Sequence, residues 1–128
     1  MAVEEIVRDQ WVAALDPFSQ QHYGWLVTVE TLEPDAPANV LARDAPLWGV
    51  HADTGLRGGG AISITVGRGT TYTIYAPVSV RIEQAEGFAD TALVVESAGG
   101  VKTMVRFRVP ARPEAVDGML PGELATVQ

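Results

Sequence analysis

Apolar positions change their spacing once along this chain, and the change comes at Gly24. Before it, Trp11, Leu15 and Phe18 stand at i, i+4 and i+7 with Ala14 beside them, a single apolar stripe on a helix running from about Arg8 to Tyr23. Asp16-Pro17 interrupts the stripe. Proline inside a helix loses a hydrogen bond and crowds the preceding turn, whereas directly after an Asp cap it is well placed. The pattern therefore predicts a kink, or a short second helix that begins at Pro17 with Asp16 as its cap. Gly24 ends the helical segment as a C-terminal glycine does.

From Trp25 onward the period is two, the signature of half-buried strands. Trp25, Val27 and Val29 alternate with Leu26, Thr28 and Glu30, and Ile62, Ile64 and Val66 alternate with Ser63 and Thr65. The same alternation runs through "TYTIYA" (71–76), "VSVRIEQ" (78–84), "TALVVES" (91–97) and "VKTMVRFRV" (101–109). In the last of these, Val101, Thr103, Val105, Phe107 and Val109 take one face, and Lys102, Met104, Arg106 and Arg108 the other. "SAGG" between the last two strands is a tight glycine turn, which makes them antiparallel neighbours. "NVLA" and "LWGVHA" read as two strands separated at Arg43-Asp44-Ala45-Pro46, because proline cannot donate to a ladder.

These elements define an α+β domain over residues 1–109. An N-terminal helix packs on a curved, mostly antiparallel meander sheet or partly open barrel of about six to eight strands. The expected core is Trp11, Leu15, Phe18, Trp25, Ile64, Ile82, Val95 and Phe107. Residues 110–128 read as an extended tail. Three of the eight prolines fall there, Pro110, Pro113 and Pro121, yet Val116, Met119, Leu120, Leu124 and Val127 are more apolar than a solvated linker requires. The tail is therefore expected to dock, on its own sheet, on a second copy or on another protein.

Composition narrows the classes of function. At 128 residues, 47% hydrophobic and 20% charged, the chain can form one core without disulfide or metal support. It has no cysteine, which removes thiol nucleophiles and Cys-ligated zinc or iron–sulfur sites. A net charge of −7 with nine scattered basic residues gives no footprint for nucleic acid. The absence of a long apolar run or a basic amphipathic helix argues against a membrane role. Acids at the start, where a secretory signal would be basic and then apolar, lead to the expectation of a cytoplasmic protein.

"EIVRDQWVAALDPFSQQHYGWLVTVE", together with "ARDAPLWGVHAD", "ISITVG" and "TMVRFRV", resembles a family of small uncharacterised bacterial proteins, a domain of unknown function. The likeness covers about residues 4–109. Its most specific part is the helix that ends in a His-x-Gly-Trp strand start. The resemblance implies a bacterial single-domain protein and supplies no catalytic residue.

Candidate chemistry is sparse. A catalytic His22 would need an orienting acid and a nucleophile, and Asp16 and Ser19 are the nearby candidates. Six residues before His22, however, Asp16 lies roughly 120° around a regular helix. The competing reading has His22 closing the last helical turn at the negative end of the dipole. His51 and Asp53 share a strand face and could ligate a metal, but two ligands are too few without His22 as a third. "TGLRGGG" (54–60) lacks both the Gly-Lys-Ser/Thr ending and the strand-to-helix setting of a phosphate loop, and reads as a plain loop. Arg81, Glu83, Glu96, Lys102, Arg106 and Arg108 read as cross-strand ion pairs on a wet sheet face.

The expected binding residues are Trp48, His51, Tyr72, Tyr75 and Met104, joined by Met119, Leu120 and Leu124 of the tail. The expected function is a non-catalytic accessory or interaction protein, a small subunit of a bacterial complex, with a protein partner or a second copy of itself and with no cofactor. A small-molecule-binding barrel is the alternative, and a small enzyme using His22 and His51 a third reading.

Overall fold

A computed structural model describes residues 2–55, 59–85 and 90–111. Eight strands form one antiparallel sheet: β1 (Ala2–Ile6), β2 (Leu26–Leu32), β3 (Asn39–Asp53), β4 (Ala61–Val66), β5 (Thr70–Tyr75), β6 (Pro77–Gln84), β7 (Asp90–Ser97) and β8 (Lys102–Ala111). Their spatial order is β1-β6-β7-β8-β2-β3-β4-β5. A 3-10 turn at Arg8–Gln10 leads into helix α1 (Trp11–Gln21). This is the expected α+β fold with a curled, unclosed sheet. The last strand runs on to Ala111, and the tail residues Met119, Leu120 and Leu124 lie outside the described residues.

The curl follows from the connections. The chain leaves β5 at one edge of the sheet and enters β6, next to the other edge, after the single residue Ala76. Only a sheet bent round on itself brings those positions together. Ala76 makes the corner at φ 52°, a left-handed conformation that a non-glycine residue adopts at a cost. Its N–H donates to Gly60 O at 3.1 Å, and its carbonyl accepts from Ala98 N at 2.9 Å. Arg8 braces the same corner by donating to Gly59 O at 2.7 Å and Pro77 O at 3.3 Å, with its guanidinium over the Trp11 ring.

Four sequence expectations are corrected. α1 runs through Pro17 as one helix, so Asp16 is an interior residue and not a cap. Trp11, Leu15, Phe18 and Ser19 are all buried against the sheet, and that packing offsets the roughly 3 kcal/mol that an interior proline costs. The segment 39–53 is one bent strand rather than two. Arg43 and Asp44 together face Thr28 as a bulge, with Asp44 at φ 50°, and the ladder resumes at Ala45 and Pro46. Trp25 and Ile82 are half-buried at the margin of the core, while Val80 takes the fully buried place on β6. β1 was not anticipated at all; it adds an edge strand carrying Glu4 and Glu5 to β6.

The strand phases otherwise follow the sequence. Val27, Val29, Ile62, Ile64, Val95, Val105 and Phe107 are buried, and β7 pairs with β8 across the glycine turn. On β7 the outward Ala92 and Val94 are buried too. Each lies in register between long neighbours, Val94 between Arg81 and Met104 and Ala92 between Glu83 and Arg106, whose stems shade the shorter side chains.

Candidate functional site

α1 does more than cover the core. β2 pairs with the first half of β3 and stops at Pro46, which leaves the second half of β3 without a strand on that side. The helix occupies this place. Ser19 Oγ accepts from Val50 N at 2.8 Å and lies within donating distance of Val50 O at 2.9 Å and Leu15 O at 2.7 Å. A helix side chain thus satisfies peptide groups that a neighbouring strand would otherwise bond.

Docking the helix there builds a groove of about 400 Å³ from its outward face and β3, lined by Asp16, Ser19, Gln20, Tyr23, Trp48 and His51. Two expected binding residues, Trp48 and His51, meet here. Asp16 and Tyr23 join them, unforeseen as partners. His51 Nδ1 lies 3.7 Å from Asp16 Oδ1, with both side chains about two thirds exposed, so the contact is a weak, solvent-screened one. Trp48 is 47% and Tyr23 66% exposed. Trp48 reaches outward because it is the extra residue where the β3–β4 register shifts between Leu47 and Gly49. At Gly49 an added Cβ would come within 2.9 Å of His51 Nε2, so a larger residue would displace the imidazole from its present position. Tyr23 projects from the end of the helix, just before Gly24 turns the chain at φ 83°.

The other expected binding residues lie elsewhere. Tyr72 is half-buried and donates its hydroxyl to Leu41 O at 3.0 Å, a structural tie between β5 and β3. Tyr75 is exposed at the end of β5. Met104 stands on the outer face of β8 beside Arg106. That face carries one pair from within the expected set, Arg81 to Glu96 at 3.9 Å, while Arg106 pairs with Glu30, which was not in that set, at 2.8 Å. Asp53 caps the turn after β3 by accepting from Gly55 N at 3.0 Å. Among the described residues, no three His, Asp or Glu side chains gather as metal ligands.

His22 and His51 have separate environments. His22 is fully buried, with its ring 4.4 Å from that of Phe18 and 4.7 Å from that of Phe107 between centroids. Its Nδ1 lies 2.7 Å from Phe18 O, and because a carbonyl can only accept, Nδ1 carries a proton. Its Nε2 lies 3.1 Å from Asp90 Oδ2 and makes no hydrogen bond. Asp90 Oδ1 accepts from Gln84 Nε2 at 3.1 Å. Asp90 lies 68 positions beyond His22, and no local pattern marks it. It reaches the wall of a second cleft, about 530 Å³, between α1 and the strands β1 and β6, where Ile6, Ala14, Pro17, Phe18 and Ile82 supply the apolar surface. The expected helix-closing position of His22 is correct, and what holds the ring is the Phe18 carbonyl and the two aromatic neighbours.

Fold and groove together define a small α+β domain whose open, curled sheet is plugged by one helix and whose exposed Trp48 and Tyr23 meet at the helix end. The chain matches the model of a family of unknown function, DUF5335, over residues 2–116, and belongs to that family. No curated protein and no solved structure matches it. No helix among the described residues is long and apolar enough to cross a membrane.

Proposed function

We propose that this chain is a non-catalytic accessory or interaction protein, a small subunit of a bacterial cytoplasmic complex, which engages a protein partner through the groove at the end of α1. The observation that carries this reading is the pair of exposed aromatic side chains, Trp48 and Tyr23, on the walls of one groove. Tryptophan and tyrosine bury large areas at low entropic cost and dominate the centres of protein interfaces. The fitting partner presents an apolar side chain to the groove from a basic surface, since the chain carries a net charge of −7. The test is affinity capture from the native host with the wild-type chain and with Trp48→Ala/Tyr23→Ala. The double variant should keep its melting temperature within the range of a surface change and lose the captured protein. Equal capture by both would refute the assignment of this face.

The cleft between α1 and β1–β6 favours a second reading, a small-molecule-binding domain. Its volume of about 530 Å³ and its mixed apolar and carboxylate wall suit a small organic cation. Native mass spectrometry would show such a ligand as added mass, lost when Ala14→Trp fills the cleft.

A further inference from the structure

The two edges of the sheet differ in chemistry. β1 carries Glu4 and Glu5, side by side and exposed, and charge of this kind blunts an edge against strand addition. β5 has no such protection. Its sequence, Thr-Thr-Tyr-Thr-Ile-Tyr, contains no charged residue, glycine or proline, and consists of strong strand formers. Its ladder with β4 runs from Ala61–Tyr75 to Val66–Thr70 without a bulge, and β4 is uncharged as well. In a chain with net charge −7, this is a surface where a second copy meets no like charge.

The hydrogen-bond phase of β5 is fixed. Ala76 N donates to Gly60 O, so along β5 the residues at even positions, Ile74 and Tyr72, direct their peptide groups toward β4. The alternation of an antiparallel ladder then points the N–H and C=O groups of Thr71, Thr73 and Tyr75 out of the free edge. No strand among the described residues pairs with them.

We infer that β5 is an interface between two copies of this chain, joined by a two-fold antiparallel strand pair centred on Thr73. In this register Thr73 faces the partner's Thr73, and Thr71 faces the partner's Tyr75 on both sides of the axis. All three outward residues of each copy become hydrogen-bonded pairs, with two bonds in each of three pairs, about six in all. Side-chain faces also match. Tyr72 meets the partner's Ile74 on the inner face, where both are half-buried, and the exposed Thr71, Thr73 and Tyr75 stay together on the outer face. The pairing joins two eight-stranded sheets into one whose only remaining edges are the acid-bearing β1 strands. The open, uncharged edge is thereby removed. This surface is separate from the Trp48–Tyr23 groove, and the two assignments can fail independently.

Sedimentation of the full-length chain over a concentration series should give twice the chain mass of 13.6 kDa. Thr73→Arg, which places a cation opposite its own copy at the axis, should return the protein to one chain mass with an unchanged circular dichroism spectrum and melting profile at low concentration. Val3→Arg, on the opposite edge, should leave the double mass. Because the chain has no cysteine, a single introduced thiol reports the register. Facing Cα atoms in a hydrogen-bonded pair lie about 5.5 Å apart, within disulfide range, whereas the two Thr71 positions would be roughly 13 Å apart along the strands. Under mild oxidation Thr73→Cys should therefore form a covalent dimer at least ten times faster than Thr71→Cys. A wild-type chain that sediments at single mass throughout the series, a Thr73→Arg variant that stays double, or equal cross-linking by the two cysteine variants would overturn the inference.

Discussion

Replacing Ser19 by alanine tests whether α1 stands in for a missing strand. The hydroxyl is buried and is the acceptor for the N–H of Val50 at 2.8 Å. Ser19→Ala leaves that N–H enclosed with no acceptor, a loss of about 1 to 3 kcal/mol for a buried unsatisfied donor. Alanine is the better helix former by about 0.5 kcal/mol, which returns part of the loss. A net destabilisation near 1.5 kcal/mol is expected, or roughly 6 °C in Tm for a domain of this size. Urea and thermal melts measure it, and amide hydrogen exchange at Val50 locates it, since protection there should fall more than at Ile64 in the centre of β4. Ser63→Ala serves as the control, because its hydroxyl makes only an exposed 3.5 Å contact with Thr73 and its loss should stay within about 0.5 kcal/mol. If Ser19→Ala and Ser63→Ala melt alike and Val50 keeps its protection, the helix does not hold the edge of β3.

Two further outcomes follow from the core. Phe107→Ala should cost about 3 to 5 kcal/mol as a buried large-to-small change beneath Phe18 and His22. Arg106→Ala beside it should cost no more than about 1 kcal/mol, because its pairing with Glu30 is a half-exposed surface ion pair; denaturant melts that rank the two equally would show the phase of β8 to be wrong. For His22 and Asp90, breaking one partner of a buried pair is costly, whereas apolar replacement of both can be nearly neutral. The losses in His22→Phe and Asp90→Ala should therefore sum to at least about 1 kcal/mol more than the loss in the double variant, and additivity within roughly 0.5 kcal/mol would remove the coupling.

The period-two alternation placed Ile62, Ile64, Val105 and Phe107 correctly because strand phase is local: a residue two positions along returns to the same face whatever pairs beside it. Pro46 misled for the complementary reason. Its missing N–H matters only if a neighbouring strand needs it, and β2 ends its ladder at that residue, so the strand continues at no cost. Asp16-Pro17 carried a cap signal that is right for an isolated segment. Trp11, Leu15, Phe18 and Ser19 override it by fixing both halves of the helix to the same sheet.

The candidate site was legible only in part, and the helix explains which part. Trp48 and His51 stood out in the sequence as candidate binding residues, but three positions apart they face opposite ways on a regular strand. Their meeting with Asp16 and Tyr23 depends on the extra residue at Trp48 and on α1 lying along the side of β3 that β2 leaves free. That placement is set by the end of one strand and the reach of one hydroxyl, Ser19 to Val50, 31 positions apart. No sequence period encodes it. The same docking puts His22 beneath Phe107 and against Asp90. One tertiary decision, a helix used where a strand would fit, thus seals the core on one side and gathers the exposed aromatic groove on the other. Substitutions that loosen α1 should therefore weaken the groove and the fold together, whereas those at Trp48 and Tyr23 should separate them.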